Sequence, residues 1–259
     1  MLKYITAIAF AVALAGSAAA GPLEDARVLD HMGLQEDATI VRQLHLAAAA
    51  GRPEAAYELA MLYLSCYIMV RYPYSCPDNE AAAGVLTDPA EHGHVPAQIV
   101  LGELYLFGGN GVSVDYQLAL RLFEAAAAMN DSAAYYWLGE IYSIGLGVDA
   151  DPDTATRWYL LAAANQGNAD AQFELGLAYV DGDGMEVDYT VAYMWFDLAA
   201  DGRIPAATAR LDALTEAMTP DQIAGAQTLA RNWLSQPCGT WPQPPCLLPG
   251  DGRLTIPSR

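Results

Sequence analysis

One feature constrains this chain more than any other: it repeats itself. Ala97-x-x-x-Leu101-Gly102-x-x-Tyr105 recurs as Ala134-x-x-x-Leu138-Gly139-x-x-Tyr142 and again as Ala171-x-x-x-Leu175-Gly176-x-x-Tyr179. The Leu-Gly pairs stand 37 residues apart both times, a period that belongs to stacked arrays rather than to a globular fold. Leu59-Ala60-x-x-Tyr63 is a weaker copy upstream. Ala, Leu and Tyr four positions apart lie on one stripe of a helix, and the small Ala and Gly let a second helix approach. Each strong copy runs into a glycine-rich turn: Gly108 to Gly111, Gly145-Leu146-Gly147, or Gly182-Asp183-Gly184. An aspartate follows (Asp115, Asp151, Asp188), placed to cap a second helix. That helix carries Ala119, Ala155 or Ala192, then Leu122, Trp158 or Trp195, then an Ala-Ala pair. Gly167 and Gly202 are placed to close two of these helices. One such hairpin cannot bury its apolar face alone, so the pattern predicts an all-α array of stacked helix hairpins.

The ends of the array are degenerate. Asp37 to Ala50, with Gly51, reads as the second helix of a partial capping repeat. The upstream copy has a Cys66 to Cys76 loop where the others have a glycine turn. Pro205 to Met218 reads as a degenerate first helix. Thr219-Pro220-Asp221-Gln222 is a helix start running to about Ser235, whose Ile223, Ala226, Ala230 and Trp233 can seal the last core face. Residues 21–36 are a lead-in, 37–236 the array, and 237–259 a Pro- and Gly-rich tail.

These residues resemble the Sel1-like repeat family, a relative of the tetratricopeptide repeats. The matching pattern is Ala-x-x-x-Leu-Gly-x-x-Tyr-x-x-Gly-x-Gly-Val, then Asp, Ala, Trp and Ala-Ala. It reads from Ala171 through Gly202, with Met185 in the Val position, and from Ala134 through Gly167. Ala97 to Met129 is a further copy, with one extra turn residue and Leu122 in the Trp position. The resemblance implies a right-handed α-solenoid. Members are mostly adaptors that bind other proteins, among them exported bacterial ones. Some secreted members carry a disulfide in every repeat and have been associated with β-lactam binding; the strong repeats here have no cysteine.

Residues 1–20 read as a signal peptide. Lys3 supplies a minimal positive start, Ile5 to Gly16 an apolar run, and Ala18-Ala19-Ala20 a cleavage site before Gly21. The expected location is periplasmic or secreted. An oxidising compartment favours disulfides among Cys66, Cys76, Cys238 and Cys246. Three connectivities are possible; the local pairs Cys66–Cys76 and Cys238–Cys246 are expected, since each spans prolines and turn formers. The chain has 31 acidic against 12 basic residues, a net charge of −19, and Lys3 is its only lysine. That charge argues against nucleic acid and anionic membrane surfaces as partners. Without a mature lysine, Schiff-base chemistry and Walker-type phosphate loops are excluded. A hydrophobic content of 54% excludes a disordered chain, and no later segment is long and uncharged enough to span a membrane.

No catalytic constellation emerges, and no cofactor or metal site is expected. Asp181 to Asp188 resembles a calcium loop but has Met185 at the fifth position, where a ligand belongs, Glu186 at the sixth, where a glycine belongs, and Ala192 at the twelfth. Glu91-His92-Gly93-His94 reads as an inter-repeat loop, and Gly-x-Ser-x-Gly is absent from the mature chain. The candidate surface lies on the first helices, opposite the core stripe: Glu103, Tyr136, Trp137, Glu140, Phe173 and Glu174, with Ile99, Val100 and Leu177. In helical-repeat arrays this face lines the concave groove. Aromatics beside acids suit a protein or peptide segment with basic residues. The alternative is that Tyr136, Trp137 and Phe173 pack between neighbouring repeats; Trp158 and Trp195 read as core. The expected function is an adaptor or regulator in the bacterial envelope. A hydrolase acting on cell-wall material or β-lactams on the same scaffold is the alternative, and a self-associating structural component a third reading.

Overall fold

Alanine, leucine and glutamate at helical spacing favour helices wherever they fall, and the turn residues decide where each one stops. The computed structural model describes residues 35–65 and 79–235. The expected signal peptide, all four cysteines and the tail from 237 onward lie outside these residues, as does all of the lead-in but Gln35 and Glu36. Eleven helices form among the described residues: α1 (Gln35–Ala49), α2 (Pro53–Leu64), α3 (Asn79–Glu91), α4 (Val95–Phe107), α5 (Tyr116–Ala127), α6 (Ser132–Ile144), α7 (Pro152–Gln166), α8 (Ala169–Asp181), α9 (Tyr189–Asp201), α10 (Pro205–Ala217) and α11 (Pro220–Ser235).

Each repeat is closed by one recurring pair of bonds. The N–H of Asp115, Asp151 or Asp188 donates to the carbonyl of Tyr105, Tyr142 or Tyr179, at 2.9, 2.8 and 3.0 Å. The same aspartate then accepts from the start of the second helix: Leu118 N–H at 2.9 Å, Thr154 N–H at 3.1 Å, or Thr190 and Val191 N–H. One residue thus ties the end of the first helix to the start of the second. The extra residue of the first turn is taken up in a short Gly109–Val112 bridge. Gly182, at φ +80°, ends α8 in the left-handed region that a turn of this kind requires.

Gly202 behaves differently from expectation. It closes α9 with φ −73°, and the positive φ falls on Arg203 instead. A Cβ on Gly202 would lie 2.4 Å from the Ala169 Cβ, so glycine is needed there for close approach to α8, not for handedness.

The chain divides into two compact units between Ala125 and Ala126, within the last turn of α5. In the first unit α1 packs on α2, α2 on α3 and α3 on α4. Its core is built from Val41, Leu44, Leu59, Tyr63, Leu86, Leu101 and Leu104. In the second unit α6 to α10 pack successively, and α11 joins α10 against α9. There Trp195 and Trp233 meet edge to face at 4.9 Å, and Ala226 and Ala230 are buried. Each unit is therefore a stack of helix hairpins, the α-solenoid architecture read from the repeat.

The Leu-Gly pair explains how closely the helices pack. A Cβ on Gly102 would lie 2.7 Å from the Phe123 ring, one on Gly139 2.4 Å from the Tyr159 ring, and one on Gly176 2.4 Å from the Phe196 ring. Each glycine is thus a seat for an aromatic ring of the second helix. Neighbouring repeats are also latched at their turns. Asn79 Nδ2 donates to the Gly108 and Gly109 carbonyls, both at 3.3 Å, and Thr156 Oγ1 to the Asp183 carbonyl at 3.3 Å.

Candidate protein-binding surface

Counting from the repeat leucine, two positions back stand Tyr57, Ile99, Tyr136 and Phe173, and one position back Glu58, Val100, Trp137 and Glu174. Two positions forward stand Met61, Glu103, Glu140 and Leu177. The Ala-Leu stripe is buried, so a 3.6-residue period turns these neighbours toward the rim of the core, where Glu103, Tyr136, Trp137, Glu140, Phe173 and Glu174 are all half-buried.

The second unit brings five of the six sequence candidates onto α6 and α8. Tyr136 and Trp137 touch with ring centroids 5.1 Å apart, and Tyr136 lies 6.1 Å from the Tyr159 ring. Phe173 rests against Phe196 at 5.6 Å. Tyr136 and Phe173 therefore pack on second-helix aromatics and Trp137 on Tyr136, while all three keep part of their surface open. Tyr159 donates its hydroxyl to Glu140 Oε1 at 2.7 Å. Burial, with Glu140 and Glu174 nearby, pushes the phenols of Tyr136 and Tyr159 well above their ordinary range. Burial first, then the charges of Glu140 and Asp170, raises the Glu174 carboxyl to about 7. The patch combines ring faces with crowded carboxyls, a combination that attracts a cation and excludes an anion.

Glu103 stands on α4 in the first unit. There burial, Glu58 and Glu103 together raise the Tyr57 phenol, and Tyr57 lies 6.0 Å from the His94 ring. Sequence reading missed Tyr57 and Glu58 because the upstream copy lacks the Leu-Gly signature. It also missed Tyr159, which sits one place after the Trp position. Registering the copies on the repeat leucine sets Tyr57 level with Tyr136 and Phe173 and Glu58 level with Glu174, and registering the second helices on Ala119, Ala155 and Ala192 sets Tyr159 level with Phe123 and Phe196.

The other candidates resolve into local roles. His94 Nδ1 accepts the Ala97 N–H at 3.2 Å and caps α4. His92 faces Asp88 at 3.4 Å and bonds its carbonyl at 2.8 Å. Both histidines, with Arg52, line an open groove of about 650 Å³ beside the ends of α1 and α3. Among the described residues no three His, Cys, Asp or Glu side chains gather as metal ligands do. In the acidic loop, Asp183 accepts the Thr156 latch on its carbonyl and Asp188 caps α9. Trp158 is buried, stacked on Tyr135 at 5.8 Å, and Trp195 is buried too. No described helix is long and apolar enough to cross a membrane.

Comparison with known proteins agrees with this architecture. The Sel1 repeat family matches residues 53–65, 95–131, 132–166 and 169–203. A solved protective antigen present in uropathogenic Escherichia coli strains, displaying an SLR fold, is similar with a TM-score of 0.68 and 28% identity. That match covers 81% of this chain and 44% of the antigen. A Sel1 repeat protein from Oxalobacter formigenes gives a TM-score of 0.55 and 31% identity, over 68% of this chain and 49% of that one. The chitin synthase regulator SKT5 of Saccharomyces cerevisiae is 31% identical over 141 residues, 51% of this chain and 20% of that protein. The ERAD-associated E3 ubiquitin-protein ligase component HRD3 of Candida glabrata is 29% identical over 125 residues, 45% of this chain and 14% of that protein. The chain thus spans a fifth or less of those two curated relatives. With the recurring Leu-Gly seats, Tyr–Asp turn closures and stacked hairpins, these matches show that the chain carries Sel1 repeats.

Proposed function

We propose that this protein is a non-catalytic adaptor that binds a partner polypeptide through basic side chains, on the face formed by Tyr136, Trp137, Glu140, Phe173 and Glu174. One observation carries the reading: half-open aromatic rings and crowded carboxyls share the first-helix face of successive repeats. Glu103, with Tyr57 and Glu58, offers the same chemistry in the first unit. A partner protein is supported by the family, whose repeats act in protein–protein interactions and whose members are typically non-catalytic adaptors, and by relatives that are named as a regulator and a ligase component.

Photo-crosslinking from position 133 of the mature protein, one helical turn before Trp137, in envelope extracts tests this. The expected result is a discrete adduct with a protein partner, lost on Trp137→Ala with Glu140→Arg. An adduct indifferent to that pair, or turnover of peptidoglycan or a β-lactam by the pure protein, would overturn the reading. Export through residues 1–20 to the periplasm or beyond is part of the proposal, as are the Cys66–Cys76 and Cys238–Cys246 disulfides. Mass spectrometry should find a mature chain starting at Gly21 and, without reduction, peptides joined in those two pairs.

A further inference from the structure

The three glycine seats form an internal comparison. Gly102 and Gly176 seat Phe123 and Phe196, both 0% exposed, so a plain ring fills the slot. Gly139 seats Tyr159, which is 4% exposed and adds a hydroxyl that packing does not need. A buried hydroxyl is costly unless it is bonded, and this one reaches Glu140 Oε1 at 2.7 Å. Its effect is therefore felt on the first-helix face, where it holds one carboxylate of the candidate surface in place.

The second carboxyl, Glu174, is left crowded. Glu140 and Tyr136 face it from α6, Tyr159 from α7, and Asp170 from its own helix. α9 meets this side of α8 with Phe196, which carries no charge. Resting on the adaptor reading above, we infer that Tyr159 is a positioning residue that aims Glu140 at an arginine side chain of the partner, and that seating the arginine displaces a proton from Glu174. A guanidinium suits the place: it is planar, stacks on rings such as Tyr136 and Trp137, and bonds carboxylates in a fork.

The sign of the coupling follows from the crowding. Burial and two neighbouring acids hold the Glu174 carboxyl near 7. A cation beside it opposes the acids and favours the ionised form. The bound state therefore holds fewer protons than the free state, and affinity rises with pH through neutrality.

The test is calorimetric titration of the mature protein with a hexa-arginine peptide from pH 5.5 to 8.5 at fixed ionic strength. Two buffers of different ionisation enthalpy count the protons released. Binding is expected to be about tenfold weaker at pH 5.5 than at pH 8, because one pKa unit of coupling is tenfold in affinity, with net proton release near pH 7. Glu174→Gln removes the proton release and flattens the profile. Tyr159→Phe, the residue type already seated in two slots, keeps the melting temperature and weakens binding at pH 8 by about tenfold, as expected for a lost bond to a charged group. Peptide binding unchanged by Glu140→Gln with Glu174→Gln would overturn the adaptor surface and the inference together. Binding that depends on those carboxyls but releases no proton, or that is untouched by Tyr159→Phe, would overturn the inference alone.

Discussion

At the scale of single residues, glycines at similar-looking helical positions carry opposite expectations. Gly176→Ala drives a methyl into the Phe196 ring, 2.4 Å away, and overpacking of this kind costs about 1–3 kcal/mol. Gly225, inside α11, has nothing within 4 Å of where a Cβ would stand, so Gly225→Ala should stabilise by about 0.5–1 kcal/mol. Urea melts of the two variants should move in opposite directions. Glu174 gives a second expectation. Its folded-state pKa is raised above the ordinary value of 4.5 to about 7, so folding favours the protonated form. Stability from this group is present at low pH and is lost as pH rises through about 7. Glu174→Gln should therefore raise stability at pH 8 by roughly 1–2 kcal/mol, after discounting for the solvent that still reaches the group, and should change little at pH 4. The Leu-Gly seats were legible as places of close approach, but which ring occupies each was not. Tyr159 stands beside Trp158 in sequence, and only the rotation of α7 decides that the tyrosine enters the seat while the tryptophan stacks on Tyr135.

At the scale of elements, the aspartates at the repeat turns do two jobs at once. Asp151 accepts from the Thr154 N–H at 3.1 Å and from the Thr154 hydroxyl at 2.8 Å, while its own N–H closes the turn on Tyr142. Asp151→Ala removes the cap and keeps the closure, a loss of about 1 kcal/mol that a thermal melt should detect. Thr219 and Gln222 form the reciprocal cap that starts α11, with bonds of 2.9 and 3.3 Å. The helix starts and stops were legible because capping is local: a side chain reaches no further than two or three residues. Gly202 is the instructive exception, since its requirement comes from Ala169, a residue of another helix 33 positions away.

At the scale of the whole molecule, a net charge of −19 acts against compactness. Mobile ions screen that repulsion, so the melting temperature should rise between about 10 mM and 0.2 M NaCl; a fall would show that favourable ion pairs dominate instead. The stacked-hairpin architecture needed no coordinates. A 37-residue period of small, bulky and turn-forming positions has one physical solution, because a lone hairpin leaves its apolar face wet until the next repeat covers it. The candidate surface was half legible: Tyr136, Trp137, Glu140, Phe173 and Glu174 follow from the helical period measured from the buried leucines. That the chain divides into two units within α5, that a tyrosine hydroxyl from a second helix pins Glu140, and that Glu174 is crowded by acids from two helices were decided by tertiary packing alone. Periodicity says which way a side chain points from its own helix; what it meets depends on residues distant in sequence that arrive only when the helices pack.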